Sequence, residues 1–263
     1  MKIVICPNVE QATLLAARVM EDALRQTPDI TLGLATGRTM EKVYAALVQA
    51  HRDRGLDFSH CQSFNLDEYV GISPSSTQSY RAYMHTHLFS RVNIALSATH
   101  VPDGMATDLA ARCAGYEKAL HACGGVGLQL LGLGENGHIG FNEPFSAFTS
   151  CTRVVTLDPA TREQNRSMFD DDLAQVPYHA VTMGVGTILD ARRIVVLATG
   201  AAKARVVADM IEGPLTASIS ATALQMHANC LVITDEAAAT ALTRRAFIDH
   251  LMQHDAELQG LLS

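Results

Sequence analysis

The sequence predicts an α/β fold built on a doubly wound, mostly parallel sheet with helices on both faces. Short β-branched or apolar runs alternate with longer segments whose apolar residues recur at helical spacing. Strands separated by helices are joined by right-handed crossovers, which place the helices on both faces of a parallel sheet. Several predicted strands end in polar clusters, and ligands bind at the carboxyl ends of such strands.

The predicted elements follow a regular order along the chain. The predicted strands are "KIVIC", "TLGLATG", "SFNLDEY", "GLQLLGLG", "AVTMGVG", "RIVVLATG" and "NCLVITD". The predicted helices cover about residues 9–26, 39–54, 77–90, 107–122, 201–212 and 236–255. No Pro/Gly/Ser-rich linker interrupts this order, so we predict one Rossmann-like domain over residues 1–263.

The composition is that of an ordinary soluble globular protein, with 48% hydrophobic residues, 18% charged residues and a net charge of -7. Moderate acidity and scattered Lys and Arg residues argue against a nucleic-acid partner. No apolar run approaches the roughly 20 residues that cross a bilayer, and the N-terminal stretch lacks the features of a secretory signal. We therefore predict a cytoplasmic protein with no membrane partner.

Neither the cysteines nor the histidines predict a metal site. The six cysteines are dispersed without a CxxC pair, which suits reduced thiols better than disulfides or zinc ligands. His85 and His87 lie two residues apart in a predicted helix, where they point to different faces. We expect no bound metal.

Two strand-to-helix turns are suited to binding one phosphate group. "LATGRT" runs from a strand through Thr36, Gly37, Arg38 and Thr39 into a helix, whose free N–H groups and dipole attract an anion. "LATGAAKA" repeats the strand-glycine-helix order and adds Lys203. The alternative interpretation is a plain turn with a threonine cap. Neither a Walker loop nor the GxGxxG spacing is present, so a nucleotide ligand is not supported.

"FNLDEY" places two acidic side chains at the end of a predicted strand. Asp67 and Glu68 are neighbours in the sequence, and neighbouring side chains of a strand point to opposite faces. Only one of them can therefore enter a ligand crevice, where it would be a candidate base. The alternative interpretation is a solvated acidic turn.

"LLGLGENGHIGFNEP" carries the most specific pattern in the chain. His138 and Glu143 lie five residues apart in a loop rich in glycine, which allows the backbone to fold the two side chains together. A carboxylate beside an imidazole fixes its tautomer and stabilises its protonated form. We predict that this loop delivers a base to the crevice at the end of a buried strand.

The same stretches resemble those of the glucosamine-6-phosphate deaminases, over nearly the whole length of the chain. The similar motifs are "LGLATG", "FNLDEYVG", "SYRAYMHTHLF", "GENGHIGFNEP", "TR" at 161 and 162, and "ALQMH". The related 6-phosphogluconolactonases are similar up to the "GH" but lack the "FNEP" that follows it here. This difference favours a deaminase over a lactonase.

The resemblance implies that D-glucosamine 6-phosphate and water are converted to D-fructose 6-phosphate and ammonia, with no metal or organic cofactor. His138 matches the family's ring-opening base, and Glu143 and Asn136 match its orienting partners. Asp67 matches the base that moves a proton from C2 to C1. Two alternatives stay open: a galactosamine-6-phosphate deaminase, and a sugar-phosphate sensor without catalytic activity.

The chain departs from the family pattern at several positions. Asn136 stands where many members have aspartate, and Ser167 stands where they have a phosphate-binding arginine. Arg38 or Arg166 would have to supply the missing guanidinium, since phosphate favours its bidentate fork, and we favour Arg38.

Two further expectations follow from the resemblance. The segment at about residues 150–180 is similar to the family's active-site lid. Ser146 and Arg153 match the allosteric site of hexameric members, but that site's basic residue is Val155 here and its tyrosine is absent near Asp249. We predict no strong activation by an acetylated sugar, and homo-oligomerisation stays open.

Overall fold

A computed structural model describes residues 1–262, and its elements alternate much as the sequence predicts. The strands are Lys2–Cys6 (β1), Thr31–Leu34 (β2), Gln62–Asn65 (β3), Asp67–Tyr69 (β4), Thr99–His100 (β5), Leu128–Leu131 (β6), Arg153–Thr156 (β7), His179–Thr182 (β8), Arg193–Ala198 (β9) and Cys230–Asp235 (β10). The helices are Val9–Gln26 (α1), Arg38–Arg54 (α2), Tyr80–Met84 (α3), Leu109–Ala122 (α4), Pro159–Asn165 (α5), Val185–Leu189 (α6), Ala204–Glu212 (α7), Arg245–His254 (α8) and Ala256–Leu262 (α9).

Among residues 1–262, seven strands form a parallel sheet in the order β1-β10-β9-β6-β2-β3-β5. Strands β9 and β10 are buried along nearly their whole length, because helices cover both faces of the sheet. Their β-branched residues, as in "RIVVLA" and "CLVITD", suit this environment. The predicted fold class is confirmed.

A second sheet of three antiparallel strands, in the order β4-β8-β7, is absent from the sequence prediction. The sequence predicts "SFNLDEY" as one strand, but the chain leaves the main sheet at Leu66, and β4 pairs with β8 instead. The Leu66 carbonyl accepts a hydrogen bond from the Met183 amide, which joins the two sheets. A strand-like run does not specify its partner, since pairing depends on distant residues.

The second sheet packs on a small apolar cluster that is separate from the main core. The segment at 150–180 contributes to it through Leu157, Phe169 and Val176, although the sequence showed few apolar periods there. Its buried residues are spaced irregularly, so neither the helical nor the strand period reveals them. The cluster consists of Tyr69, Tyr80, Phe141, Leu157, Phe169, Val176 and Ala180.

The helix boundaries follow from local capping groups. The Asn8 side chain accepts a hydrogen bond from the Gln11 amide at the start of α1, and Gly55 ends α2 in the left-handed conformation. The helix predicted from residue 236 begins only at Arg245, because the Glu212 carboxylate accepts the amides of Thr243 and Arg244 ahead of it.

No helix within residues 1–262 is long and apolar enough to cross a membrane.

Candidate active site

A cavity of about 250 Å³ lies at the carboxyl ends of β9, β6 and β2, which are neighbours in the main sheet. Each strand is followed by a segment that lines it, with Thr36 after β2, His138 after β6 and Lys203 after β9. Asp67, which follows β3, lies in the same wall. Parallel strands present their carboxyl ends to one edge, so side chains distant in sequence meet there.

Glycine N-caps form the two predicted anion-binding turns. Gly37 precedes α2 with φ 111°, and Gly200 precedes the 3₁₀ turn Ala201–Lys203 with φ 91°. A Cβ at either position would meet no atom within 4 Å, so the positive φ is what requires glycine. No side chain caps the turn at Gly37, which contradicts the interpretation of a threonine cap there, whereas the Asp235 carboxylate accepts the Gly200 amide at 2.9 Å. Gly37, Arg38 and Thr39 line the cavity, where their N–H groups are available to an anion.

Of the three cationic side chains predicted to bind phosphate, two line the cavity and one does not. Arg38 and Lys203 lie in the wall, and burial lowers the pKa of Lys203 against the opposing effect of Glu135. Arg166, the other candidate for the missing guanidinium, instead pairs with Glu163 at 2.7 Å. The structure thus brings Arg38, and not Arg166, to the predicted phosphate turn.

Asp67 and Glu68 point in different directions, as the strand alternation predicts. Asp67 is 6% exposed and lines the cavity. Its burial and the nearby Glu68 raise the pKa of Asp67 to about 8, against the opposing effect of the Phe141 amide. Glu68 turns away and accepts the amides of Tyr69, Tyr80 and Arg81 at 2.9 to 3.0 Å, which fixes the start of α3.

His138 is held by a polar pair that lies behind it. The His138 Nδ1 atom lies 3.3 Å from Glu143 Oε2, and poor hydrogen-bond alignment makes this contact chiefly electrostatic. Asn136 Nδ2 donates to the same Glu143 oxygen at 2.8 Å, while Asn136 Oδ1 accepts the His138 amide at 3.1 Å. Burial alone would raise the pKa of Glu143, but His138, Thr161 and Asn136 together hold it below its usual value.

Gly134 provides the space that the His138 ring occupies. A Cβ on Gly134 would lie 2.4 Å from the Cδ2 and Nε2 atoms of His138. The imidazole therefore packs directly on the Gly134 backbone, with the Gly134 amide donating to the His138 carbonyl at 2.9 Å. No side chain other than hydrogen would leave the ring in this place.

Sequence reasoning missed several residues of the cavity wall. Gln164 and Asn165 come from α5, in the segment predicted to be a lid, where no residue pattern indicates an inward orientation. Tyr80 belongs to the conspicuous "SYRAY" stretch, but its place in the wall depends on Glu68 capping α3. Thr199 lies in the second "LATG", whose repetition was the one usable signal. The missed residues are Tyr80, Glu135, Gln164, Asn165 and Thr199.

A larger cavity of about 440 Å³ lies beside Glu68, on the side of β4 away from the predicted phosphate turns. Its acidic groups are already engaged, since Glu68 caps α3 and Asp103 lies 3.4 Å from Arg112. This cavity is therefore a weaker candidate for catalysis.

Residues 1–262 contain no cluster of three or more His, Cys, Asp or Glu side chains placed to hold a metal ion.

A comparison with protein families assigns the chain. A model described as "Glucosamine-6-phosphate isomerases/6-phosphogluconolactonase" matches residues 8–233. The chain belongs to this isomerase and lactonase family. The resemblance seen in its motifs is thus confirmed.

Members of the isomerase and lactonase family are similar to the chain over its full length. A glucosamine-6-phosphate deaminase from Arthrobacter sp. (strain FB24) is 47% identical, with 99% of this chain and 100% of the relative aligned. One from Shewanella woodyi is 46% identical, with 100% of this chain and 98% of the relative aligned.

Solved structures of the family show the same fold. A monomeric glucosamine-6-phosphate deaminase superposes with a TM-score of 0.89 at 40% identity, covering 92% of this chain and 100% of its own. The 6-phosphogluconolactonase of Trypanosoma brucei superposes with a TM-score of 0.73 at 20% identity, covering 92% of this chain and 98% of its own. This second likeness extends to the fold alone.

Proposed function

We propose that this chain is an enzyme that converts D-glucosamine 6-phosphate and water to D-fructose 6-phosphate and ammonia. One observation carries the proposal: Asp67 and His138 enter a single cavity that is also lined by residues of the two glycine-capped turns for which we predict anion binding. A sugar phosphate held at those turns would place its reacting carbons between the two side chains. The deaminases that are 46 to 47% identical over the full length support this choice of substrate.

The first step is opening of the sugar ring. The phosphate binds the N–H groups at Gly37–Thr39, with Arg38 and Lys203 supplying positive charge. His138 takes the proton of the anomeric hydroxyl and delivers a proton to the ring oxygen. Glu143, 3.3 Å from the imidazole, stabilises the protonated ring between these transfers.

The second step is proton transfer between two carbons. Asp67 removes the C2 proton, which the neighbouring aldehyde acidifies, and the resulting enolamine receives a proton at C1. The product is an imine at C2, to which water adds before ammonia leaves. A pKa of about 8 makes Asp67 a stronger base than an ordinary carboxylate, which suits removal of a proton from carbon. This scheme requires no metal or organic cofactor.

We propose two features of the surrounding structure as part of this function. The segment at 150–180 is a lid, since Gln164 and Asn165 from it line the cavity. Arg153 donates to Asn142 at 2.9 Å and to Ser146 at 2.8 Å, so the residues that match the family's allosteric site bind one another. This mutual pairing supports the expectation of no strong activation by an acetylated sugar.

The deciding experiment is to incubate the protein with glucosamine 6-phosphate or galactosamine 6-phosphate and to measure ammonia and ketose phosphate. We expect both products from the glucosamine substrate, and their release should be at least about 100-fold slower in the Asp67→Asn variant. Faster release from the galactosamine substrate would favour the alternative substrate. Tight binding of either sugar without ammonia would instead indicate a sensor.

A further inference from the structure

The Asp67 carboxylate lies beside a hydroxyl group that the proposed mechanism does not use. Asp67 and Thr182 face each other in the antiparallel pair of β4 and β8, so their side chains share one face of the small sheet. Gly140 lies between them, because a Cβ built on it would be 3.0 Å from Thr182 Oγ1 and 3.5 Å from Asp67 Oδ2. Thr182 is fully buried.

The backbone amide of Phe141 lies near both Asp67 and Thr182, and Thr182 accepts its hydrogen bond. That amide donates to Thr182 Oγ1 at 3.0 Å, while the Thr182 hydroxyl lies 3.4 Å from the Met183 carbonyl, to which it donates. Burial and Glu68 raise the pKa of Asp67, and the nearby Phe141 amide opposes them, although its hydrogen bond goes to Thr182. An N–H group that is engaged by a hydroxyl stabilises a neighbouring carboxylate less than a free one would.

We propose that Thr182 is a positioning residue that engages the Phe141 amide and so limits its donation to Asp67. The carboxylate then stays poorly solvated by hydrogen bonds and remains a strong base for proton abstraction at carbon. The inference rests on the proposed role of Asp67, but the contact itself is a property of the folded chain. The rate advantage of a stronger base follows from Brønsted behaviour.

Other ionisable groups around Asp67 are unchanged by a substitution at Thr182. On the neighbouring β7, Arg153 is occupied by Asn142 and Ser146. Thr182→Val therefore removes one hydroxyl while it keeps the shape of the side chain and the charges of the site. Ionisable groups near Asp67 either interact with it electrostatically or line the same cavity. They are Arg38, Tyr44, Glu68, Tyr69, Tyr80, Tyr116, Glu135, His138 and Lys203.

The experiment compares unfolding free energy from pH 5 to pH 9 in wild type, Thr182→Val, Asp67→Asn and the double variant. A carboxyl whose pKa is raised by folding loses its contribution to stability as the pH rises through about 8. In Thr182→Val the Phe141 amide is free to donate to Asp67 and should lower the pKa of that carboxyl. The loss of stability should then be complete about one pH unit lower than in wild type. The shift should vanish in the Asp67→Asn background, and Thr182→Ser should restore the wild-type curve.

Activity supplies a second readout. The acidic limb of the kcat/KM profile should move about one pH unit lower in Thr182→Val, with a reduced plateau, and should return in Thr182→Ser. A pH dependence of stability that is the same in wild type and Thr182→Val, or a shift that persists in the Asp67→Asn background, would overturn the inference. If wild type released no ammonia while the stability shift appeared, the proposed function would fail and the role of Thr182 would stand.

Discussion

Asp67 illustrates at the scale of one residue how burial creates a base. The side chain lies at the start of the buried strand β4, where little water reaches it, and its sequence neighbour Glu68 adds a second negative charge. Both effects favour the protonated form, and together they raise the pKa of Asp67 to about 8. The folded protein therefore holds a proton that the unfolded chain, with a pKa near 4, releases in neutral solution.

We expect Asp67→Asn to abolish most activity while it stabilises the fold at high pH. General-base catalysis contributes about 10²- to 10⁴-fold, so kcat should fall by that order. The raised pKa means that the contribution of Asp67 to stability is fully present below about pH 4 and is lost as the pH rises through about 8. Asparagine cannot ionise, so the variant should be more stable than wild type by a few kcal/mol at pH 8. The difference in unfolding free energy should be smaller at pH 5. Urea unfolding at both pH values measures this difference.

Gly134 supports a second prediction at the residue scale. The Gly134→Ala methyl group would lie 2.4 Å from the His138 imidazole, so the ring must turn away from Glu143. Misplacing a catalytic group by about 1 Å costs up to about 100-fold, and we expect a loss of kcat between tenfold and that value. Gly132→Ala is the matched control, since its methyl group would meet only Met40 Cε at 3.4 Å. Equal kinetics in the two variants would contradict this account of Gly134.

At the scale of elements, the site depends on where helices begin. The α2 helix starts at Arg38 after a glycine cap, so its first N–H groups face the cavity instead of a capping side chain. The Tyr83 hydroxyl donates to the Gly37 carbonyl at 2.8 Å and fixes this turn. The start of α3, in contrast, is occupied by the Glu68 carboxylate and presents no free site.

Arg38→Ala tests the phosphate turn at the start of α2. A charge-assisted hydrogen bond contributes about 1.5 to 3 kcal/mol, so KM for the phosphorylated sugar should rise by about 10- to 100-fold. The effect on kcat should be smaller, because Arg38 holds the phosphate and not the reacting carbons. Arg166→Ala is the control, since Arg166 pairs with Glu163 and lies outside the cavity wall. A larger KM effect at Arg166 would reverse the assignment of the guanidinium.

At the scale of the whole molecule, the main core and the small apolar cluster have different structural roles. The main sheet and its helices form the large core that fixes the strand ends and their turns. The smaller cluster supports β4 from behind, through Tyr69, and carries the segment that includes Gln164 and Asn165. The catalytic aspartate that we propose lies at the junction, since β4 pairs only with β8 among the strands within residues 1–262.

Two matched substitutions distinguish the role of the small apolar cluster from that of the main core. Phe169 belongs to the smaller cluster and Phe58 to the main core, and both are fully buried. Either Phe→Ala change should cost about 3 to 5 kcal/mol of unfolding free energy. Only Phe169→Ala should also raise KM, because it loosens the segment that closes the cavity. Steady-state kinetics at a temperature where both variants are folded would test this, and equal KM values would speak against a lid at 150–180.

The identity of the polar residues could be predicted from the sequence more fully than their arrangement. Asp67, His138, Lys203 and Arg38 were found because each follows a strand, and the ends of parallel strands meet at one edge. The sequence also indicated that Asp67 and Glu68 would diverge, which the structure confirms. The choice between Arg38 and Arg166 could not rest on the sequence alone, because Glu163 becomes a partner of Arg166 only in the folded α5.

Local pattern by itself determined the fold class, the order of most strands and helices, and the glycine turns, because hydrophobic period and backbone preference are properties of adjacent residues. Tertiary structure alone decided the second sheet, the small apolar cluster and the hydrogen bond from the Phe141 amide to Thr182, which lies opposite Asp67. These depend on which distant segments pair and how much water they exclude. Burial is a property of the assembled molecule, and burial is what turns Asp67 from an ordinary acid into a base.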